Sequence, residues 1–187
     1  MIFRREDFSE AMAAIHERAR AYFEEEVGAQ VLLAHMVTGT IDHLELPKLT
    51  VLVGAEGPVS LLIAFHFDPA LLDKIYLAST AGLDIAPWER MLYLREAAAE
   101  TANLILGHAT ADLARDGSDM ALSPPVVLEV DRGIDRPKRA MFATLKMKTD
   151  FGVADIHFIG PSELFDEMPD VPLREGRHVS VEISDRR

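Results

Sequence analysis

The sequence predicts an α+β fold, a mostly antiparallel sheet with helices packed on it. Three observations carry this expectation. Two pairs of apolar runs, within 49–67 and 138–159, each close on a short glycine-containing turn, the pattern of a β-hairpin. Segments 6–26 and 86–116 carry apolar residues at helical spacing. The elements come in the order helix, strands, two helices, strands, which builds helices onto a sheet.

The first helix spans 6–26, with Phe8, Met12, Ile15, Ala19 and Tyr22/Phe23 at helical spacing. Asp7 or Ser9 is its expected cap, Glu24–Glu26 its solvated end and Gly28 its stop. QVLLAHMV (30–37) reads as a strand. In the hairpin LTVLVGAEGPVSLLIAFHF (49–67), the GAEGP stretch lacks the GK[ST] ending of a phosphate loop and leads into a strand. It is therefore expected to be a turn. Asp68-Pro69 opens a short amphipathic helix over 68–79, and Gly82 breaks the chain again. The longest helix runs from about Ala86 to Asp116, with Pro87 in its first turn and Gly117 beyond its end. PPVVLEV (124–130) is a short strand whose leading prolines keep its start out of a ladder interior. KRAMFATLKMKT (138–149) and GVADIHFI (152–159) form the second hairpin around Asp150-Phe151-Gly152. Beyond Pro161 the chain is proline- and acid-rich, an irregular wrap, with RHVSVEIS (177–184) alternating as an edge strand would. The expected organisation is a domain over 1–160 and an acidic, proline-containing extension over 161–187 that packs on it.

Composition bounds the function. The 187 residues fit one domain with a proper core. A formal charge of −12 argues against nucleic acid or an anionic membrane as partner, since both need basic patches. The longest apolar runs, such as 59–65, fall far short of the ~20 residues that span a bilayer. MIFRREDFSE lacks the apolar core of a secretory signal, so a cytoplasmic location is expected. The absence of cysteine excludes disulfides, thiolate metal sites and cysteine nucleophiles. The seven histidines form no HExxH, and neither GxSxG nor a strand-borne GxGxxG occurs. Asp155-x-His157 and His66-x-Asp68 each place an acid and a histidine on one strand face, a spacing too common to mark a metal site. Met91, Met120, Met141 and Met147 read as core filler. No metal site is expected, and no complete triad or nucleotide site.

The long helix is the informative element. On a helical wheel, Trp88, Met91, Leu92, Arg95, Ala98, Ala99, Ala102, Ile105, Leu106, Ala109 and Leu113 gather on one side, the expected core stripe. Beside it, Glu96, Glu100, Asn103 and Gly107 form a second stripe, with Leu104 and Ala111 at its margin. Asn103 is the only asparagine in the chain, at a position where its amide lowers helix propensity. Glu100 and Asn103, three apart, project side by side. Gly107 and Ala111 remove bulk from the next turns, although a glycine in a helix interior gives up about 1 kcal/mol against alanine. A carboxylate, a carboxamide and a glycine on one strip suit docking better than stability. A two-residue ExxN pattern also arises by chance, and a plain structural domain is the bland alternative.

The stretch Glu100-Thr-Ala-Asn103-Leu-Ile-Leu-Gly107, on a long helix after a hairpin and a short helix, resembles the ExxN signature of the CheX/CheC chemotaxis phosphatases. The single copy is more similar to CheX than to CheC. The N-terminal helix, the hairpin with its Gly-x-x-Gly turn, Leu113, Gly117 and the Ser123-Pro124-Pro125 entry to a strand follow the family's order, over roughly 6–160. The resemblance implies a hydrolase acting on the aspartyl-phosphate of a response-regulator receiver domain of the CheY type. It implies no cofactor of its own, since Mg²⁺ and a lysine come with the receiver. Asn103 would orient the attacking water, because a carboxamide accepts and donates hydrogen bonds without titrating. Glu100 would meet the receiver lysine. Glu96, Leu104, Gly107 and Ala111 would form the partner-binding rim. The family also implies a homodimer joined through strand edges, with several edges available. A receiver-binding or dimerisation module without catalysis is the other reading of the same residues.

Overall fold

In the computed structural model, residues 5–39, 41–57, 60–115 and 120–164 are described. Helix α1 (Arg5–Ala21) buries Phe8, Met12, Ile15 and Ala19, the predicted stripe. Its backbone is already helical at Arg5, so neither Asp7 nor Ser9 caps it, a correction to the expected start. A wide π-helical turn, Tyr22–Val27, follows. It closes on Gly28, whose φ of 68° and N–H to the Phe23 carbonyl form a left-handed cap that glycine adopts without a Cβ penalty.

The sheet is antiparallel throughout. Its strands are β1 (Val31–Gly39), β3 (Val51–Glu56), β4 (Leu61–Phe67), β5 (Ala121–Leu122), β6 (Val126–Val127), β8 (Ala140–Thr149) and β9 (Val153–Pro161). They lie in the order β1-β8-β9-β4-β3-β5, with β6 also on β3. Both predicted hairpins are present, β3–β4 and β8–β9. The strand expected over 124–130 shrinks to Val126–Val127. Pro124 and Pro125 have no N–H to donate, and pairing with β3 lasts only until the Leu128 N–H reaches the Thr50 carbonyl at 2.9 Å.

Period-two alternation gives the sheet two faces. Met36, Leu145, Ile156, Phe65 and Val51 lie opposite one another across five strands, on the face that α1, α2 (Pro69–Ser79) and α3 (Arg90–Arg115) cover. On the other face a second core gathers Ala64, Phe142 and Ile159 under Leu44 and Leu46. Those leucines belong to a two-stranded ribbon of β2 (His43–Leu46) and β7 (Arg132–Asp135), which the sequence reading missed. HLEL is too short to separate from a loop by periodicity alone.

The remainder of that second face carries a polar row. His35, Lys146, Asp155 and His66 are cross-strand neighbours on four strands, and Thr144 pairs with His157 one row on. Lys146 Nζ donates to Asp155 Oδ2 at 2.7 Å, and Thr144 Oγ1 lies 2.8 Å from His157 Nδ1. Asp155, His157 and His66 of the two acid–histidine pairs noted in sequence thus join one ladder, whereas Asp68 lies past the end of β4 and opens α2. No group of three or more His, Asp or Glu among the described residues is arranged to hold a metal ion. After β9, Ser162–Leu164 form a 3₁₀ turn and Leu164 enters the main core. Gly117, the rest of the predicted extension and the expected edge strand at 177–184 lie outside the described residues.

Candidate functional site

The helix that carries the ExxN residues is the 26-residue α3, which starts at Arg90, about four residues later than the sequence suggested. Pro87, Trp88 and Glu89 form a turn ahead of it. Its buried side is Leu94, Ala97, Ala98, Thr101, Ala102, Ile105, Leu106, Ala109 and Leu113. The expected core stripe therefore holds at Ala98, Ala102, Ile105, Leu106, Ala109 and Leu113, while Ala99 is only half-buried, Leu94, Ala97 and Thr101 are buried outside it, and its N-terminal end fails. Trp88 is 83% exposed, Met91 45% and Leu92 43%, because nothing among the described residues covers that side of the first turns of the helix.

Four ties fix α3 in place. Near its start the Arg90 guanidinium bonds Asp73 Oδ1 of α2 at 2.6 Å and lies over the Tyr76 ring. At its middle Thr101 Oγ1 donates to the Ala97 carbonyl at 2.8 Å and lies 3.0 Å from the Tyr22 hydroxyl. Towards its end Arg18 of α1 grips Asp112, its Nε at 2.6 Å. Arg95 also pairs with Glu129, beyond β6. Buried alanines at Ala98, Ala102 and Ala109 bring the helix close to its neighbours.

On the opposite side, Glu96, Glu100 and Asn103 are all exposed, as the wheel predicted. Among the described residues, none of the three side chains has an intramolecular hydrogen-bond partner, so carboxamide and carboxylates are free for an incoming group. Gly107 is half-buried, and a Cβ built there would meet nothing within 4 Å. Ala111 is exposed and Leu104 half-buried. All six residues singled out in sequence therefore lie on one accessible strip.

Beside the strip runs a cleft of about 470 Å³ between α1, its π-helical end, α2 and α3. Glu100, Leu104 and His108 form one wall, Tyr22, Glu25 and Glu26 the other. The sequence reading took Glu24–Glu26 only as a solvated helix end. The three are exposed, yet the last two also face Glu100 across the cleft. No local signal announces this, because it depends on how α1 packs against α3. Burial raises the Tyr22 hydroxyl above its ordinary pKa, against the Thr101 hydrogen bond, and the charges of Glu100 and Glu26 push the same way. Tyr22 is thus a neutral hydrogen-bonding wall beneath an acidic lip. A second hollow, of about 490 Å³, lies towards the start of α3 between Leu83, Tyr93, Glu96 and Glu100.

Such a site has an exposed carboxamide and carboxylate on a rigid ridge, with neither a nucleophile–base pair nor a metal cradle among the described residues. It can orient a group brought by another molecule. No curated protein matches the chain in sequence. Among solved structures, the chemotaxis protein CheX from Desulfovibrio desulfuricans is 18% identical, with a TM-score of 0.67 over 80% of this chain and 97% of that one. CheX from Vibrio vulnificus is 16% identical, with a TM-score of 0.65 over 80% and 97% of the two chains. The CheX–CheY–BeF₃–Mg²⁺ complex from Borrelia burgdorferi is 15% identical, with a TM-score of 0.56 over 80% and 97%. These likenesses show the fold. The family model described as chemotaxis phosphatase CheX matches residues 49–148, more than half of the 187, and includes the whole of α3. The chain belongs to the CheX family of chemotaxis phosphatases.

Proposed function

We propose that this protein hydrolyses the aspartyl-phosphate of a CheY-like receiver domain, with Asn103 orienting the attacking water. The observation that carries the proposal is the pairing of an exposed, unengaged carboxamide with a carboxylate one turn away, on a helix tied down along its length. The reaction takes water and the acyl phosphate to aspartate and inorganic phosphate: the water oxygen bonds to phosphorus as the bond from phosphorus to the aspartate oxygen breaks. An acyl phosphate is already activated, so what catalysis must add is an in-line water. The Asn103 carbonyl oxygen accepts from that water, a contribution of positioning. Glu100 makes a charge-assisted contact with the receiver lysine and so sets Asn103 against the phosphoryl group. Mg²⁺ held by the receiver supplies charge neutralisation at the phosphoryl oxygens. Glu96, Leu104, Gly107 and Ala111 form the rim on which the receiver rests, and reaction with such a partner places the protein in the cytoplasm.

We assign the homodimer contact to the outer edge of β1. That strand has nine residues and exposes Leu32, Leu33 and Val37, whereas the opposite edge is broken into the two-residue β5 and β6 around a Pro-Pro step. A long, apolar edge pairs readily with a second copy, while prolines and short strands blunt an edge. Sedimentation of Leu33→Lys tests this: a monomer is expected, and an unchanged dimer would reject the edge.

The catalytic proposal is tested by following phosphate loss from receivers phosphorylated with acetyl phosphate. Faster loss in the presence of this protein is expected. Tight binding without faster loss would favour a non-catalytic receiver-binding module.

A further inference from the structure

Among the described residues, four exposed apolar side chains lie around the start of α3. Trp88, the only tryptophan of the chain, is 83% exposed, and Leu83, Met91 and Leu92 are 59%, 45% and 43% exposed. Their placement relative to the ExxN strip is specific. Leu92 lies on the same side of the helix as Glu96 and Asn103, about 16 Å before Asn103 along the axis. Trp88 stands four residues earlier, where the backbone already turns towards the helix, with the Tyr93 N–H on the Glu89 carbonyl at 3.1 Å. Leu83 shares its hollow with Glu96 and Glu100. Beyond Asn103 in the other direction the helix exposes His108, Ala111 and Ala114, with no large apolar residue.

We infer that Leu83, Trp88 and Leu92 form the apolar anchor on which the receiver domain docks. This rests on the reading that a receiver is the substrate. A globular partner whose phosphoryl group reaches Asn103 must cover surface around it. A specific interface buries about 800 Å² on each partner, a patch of roughly 16 Å radius, which reaches Leu92 when centred on Asn103 and takes in Trp88, about 22 Å away, once displaced towards the start of the helix. Such an interface needs a desolvated apolar core, and Trp is the side chain most enriched among residues that dominate binding. The Glu96–Asn103 strip is polar and cannot supply that core. The exposed large apolar residues of α3 sit at one end only, so the receiver footprint extends from Asn103 towards the N-terminus of α3, with the Gly107 end as its margin. The receiver face that meets this anchor is an apolar surface beside the phosphorylated aspartate.

Trp88 also provides the probe. Trp88→Ala and Leu92→Ala are expected to raise KM for the phosphorylated receiver about tenfold each and leave kcat within twofold, the signature of lost uniform binding. Thermal unfolding should be unchanged, as both side chains are exposed. In the Asn103→Ala protein, tryptophan emission should shift to the blue on adding receiver activated with beryllofluoride and Mg²⁺. Unchanged KM and unshifted emission in a protein that dephosphorylates the receiver would overturn the anchor and leave the phosphatase reading standing. A blue shift abolished by Leu92→Ala, without catalysed phosphate loss, would support the anchor and reject the phosphatase reading. Absence of both with every receiver tried would reject the two together.

Discussion

A carboxamide fixed on a helix has a fixed reach, and that is the chemical use of Asn103. Glu100, one turn before it, carries a charge that the chain leaves unpaired among the described residues. Their expected roles separate kinetically: Glu100→Ala should raise KM for the phosphorylated receiver several-fold while kcat changes less. Steady-state kinetics decide this, and an unchanged KM would remove Glu100 from the interface. On the far face of the sheet, His157 is only 7% exposed, and burial lowers its pKa to about 4. Unfolded, it titrates near its ordinary value of 6.5. Between these two pH values the unfolded chain binds the extra proton, so stability falls as pH falls. The loss reaches on the order of 3 kcal/mol by pH 4 and fades out as pH rises past 6.5. Burial lowers His16 and His66 as well, in the same direction. Thermal unfolding of His157→Gln across that window should show a shallower acid slope than the wild type, and an identical slope would contradict the assignment.

At the scale of the element, α3 gives up stability for access. Gly107 has open space where a Cβ would stand, so no contact within the chain demands glycine there. Gly107→Ala is therefore expected to stabilise the protein by about 0.5–1 kcal/mol, the helix-propensity difference, and to raise the melting temperature. If the open surface exists for a partner's close approach, the same variant raises KM. Calorimetry and kinetics on one protein test both halves, and a more stable variant with unaltered KM would show the glycine to be incidental. The ties from Arg90 to Asp73 and from Arg18 to Asp112 hold the strip at both ends, and Tyr22 supports it midway.

At the scale of the molecule, the parts visible in sequence were those set by local periodicity. Both hairpins, α2 and the alternation of buried and exposed residues on α3 past Ala98 follow from spacing that a single segment carries. The ribbon of β2 and β7 was not legible, because its two four-residue strands are far apart in sequence and acquire meaning only when paired. The same limit hid the acidic wall of Glu25 and Glu26, which faces Glu100 only after α1 packs on α3. Trp88, Met91 and Leu92 misled for the opposite reason: their spacing matches a core stripe, but they are exposed, with nothing among the described residues packed over them. Residues that fit the core pattern and remain uncovered are what a docking surface looks like in sequence. The central claim is that Asn103 positions the hydrolytic water, and it is tested by comparing phosphate loss from a phosphorylated receiver with wild-type protein and with Asn103→Ala. The account predicts a fall in kcat on the order of 10²-fold with binding retained. Hydrolysis at the wild-type rate by Asn103→Ala would contradict it.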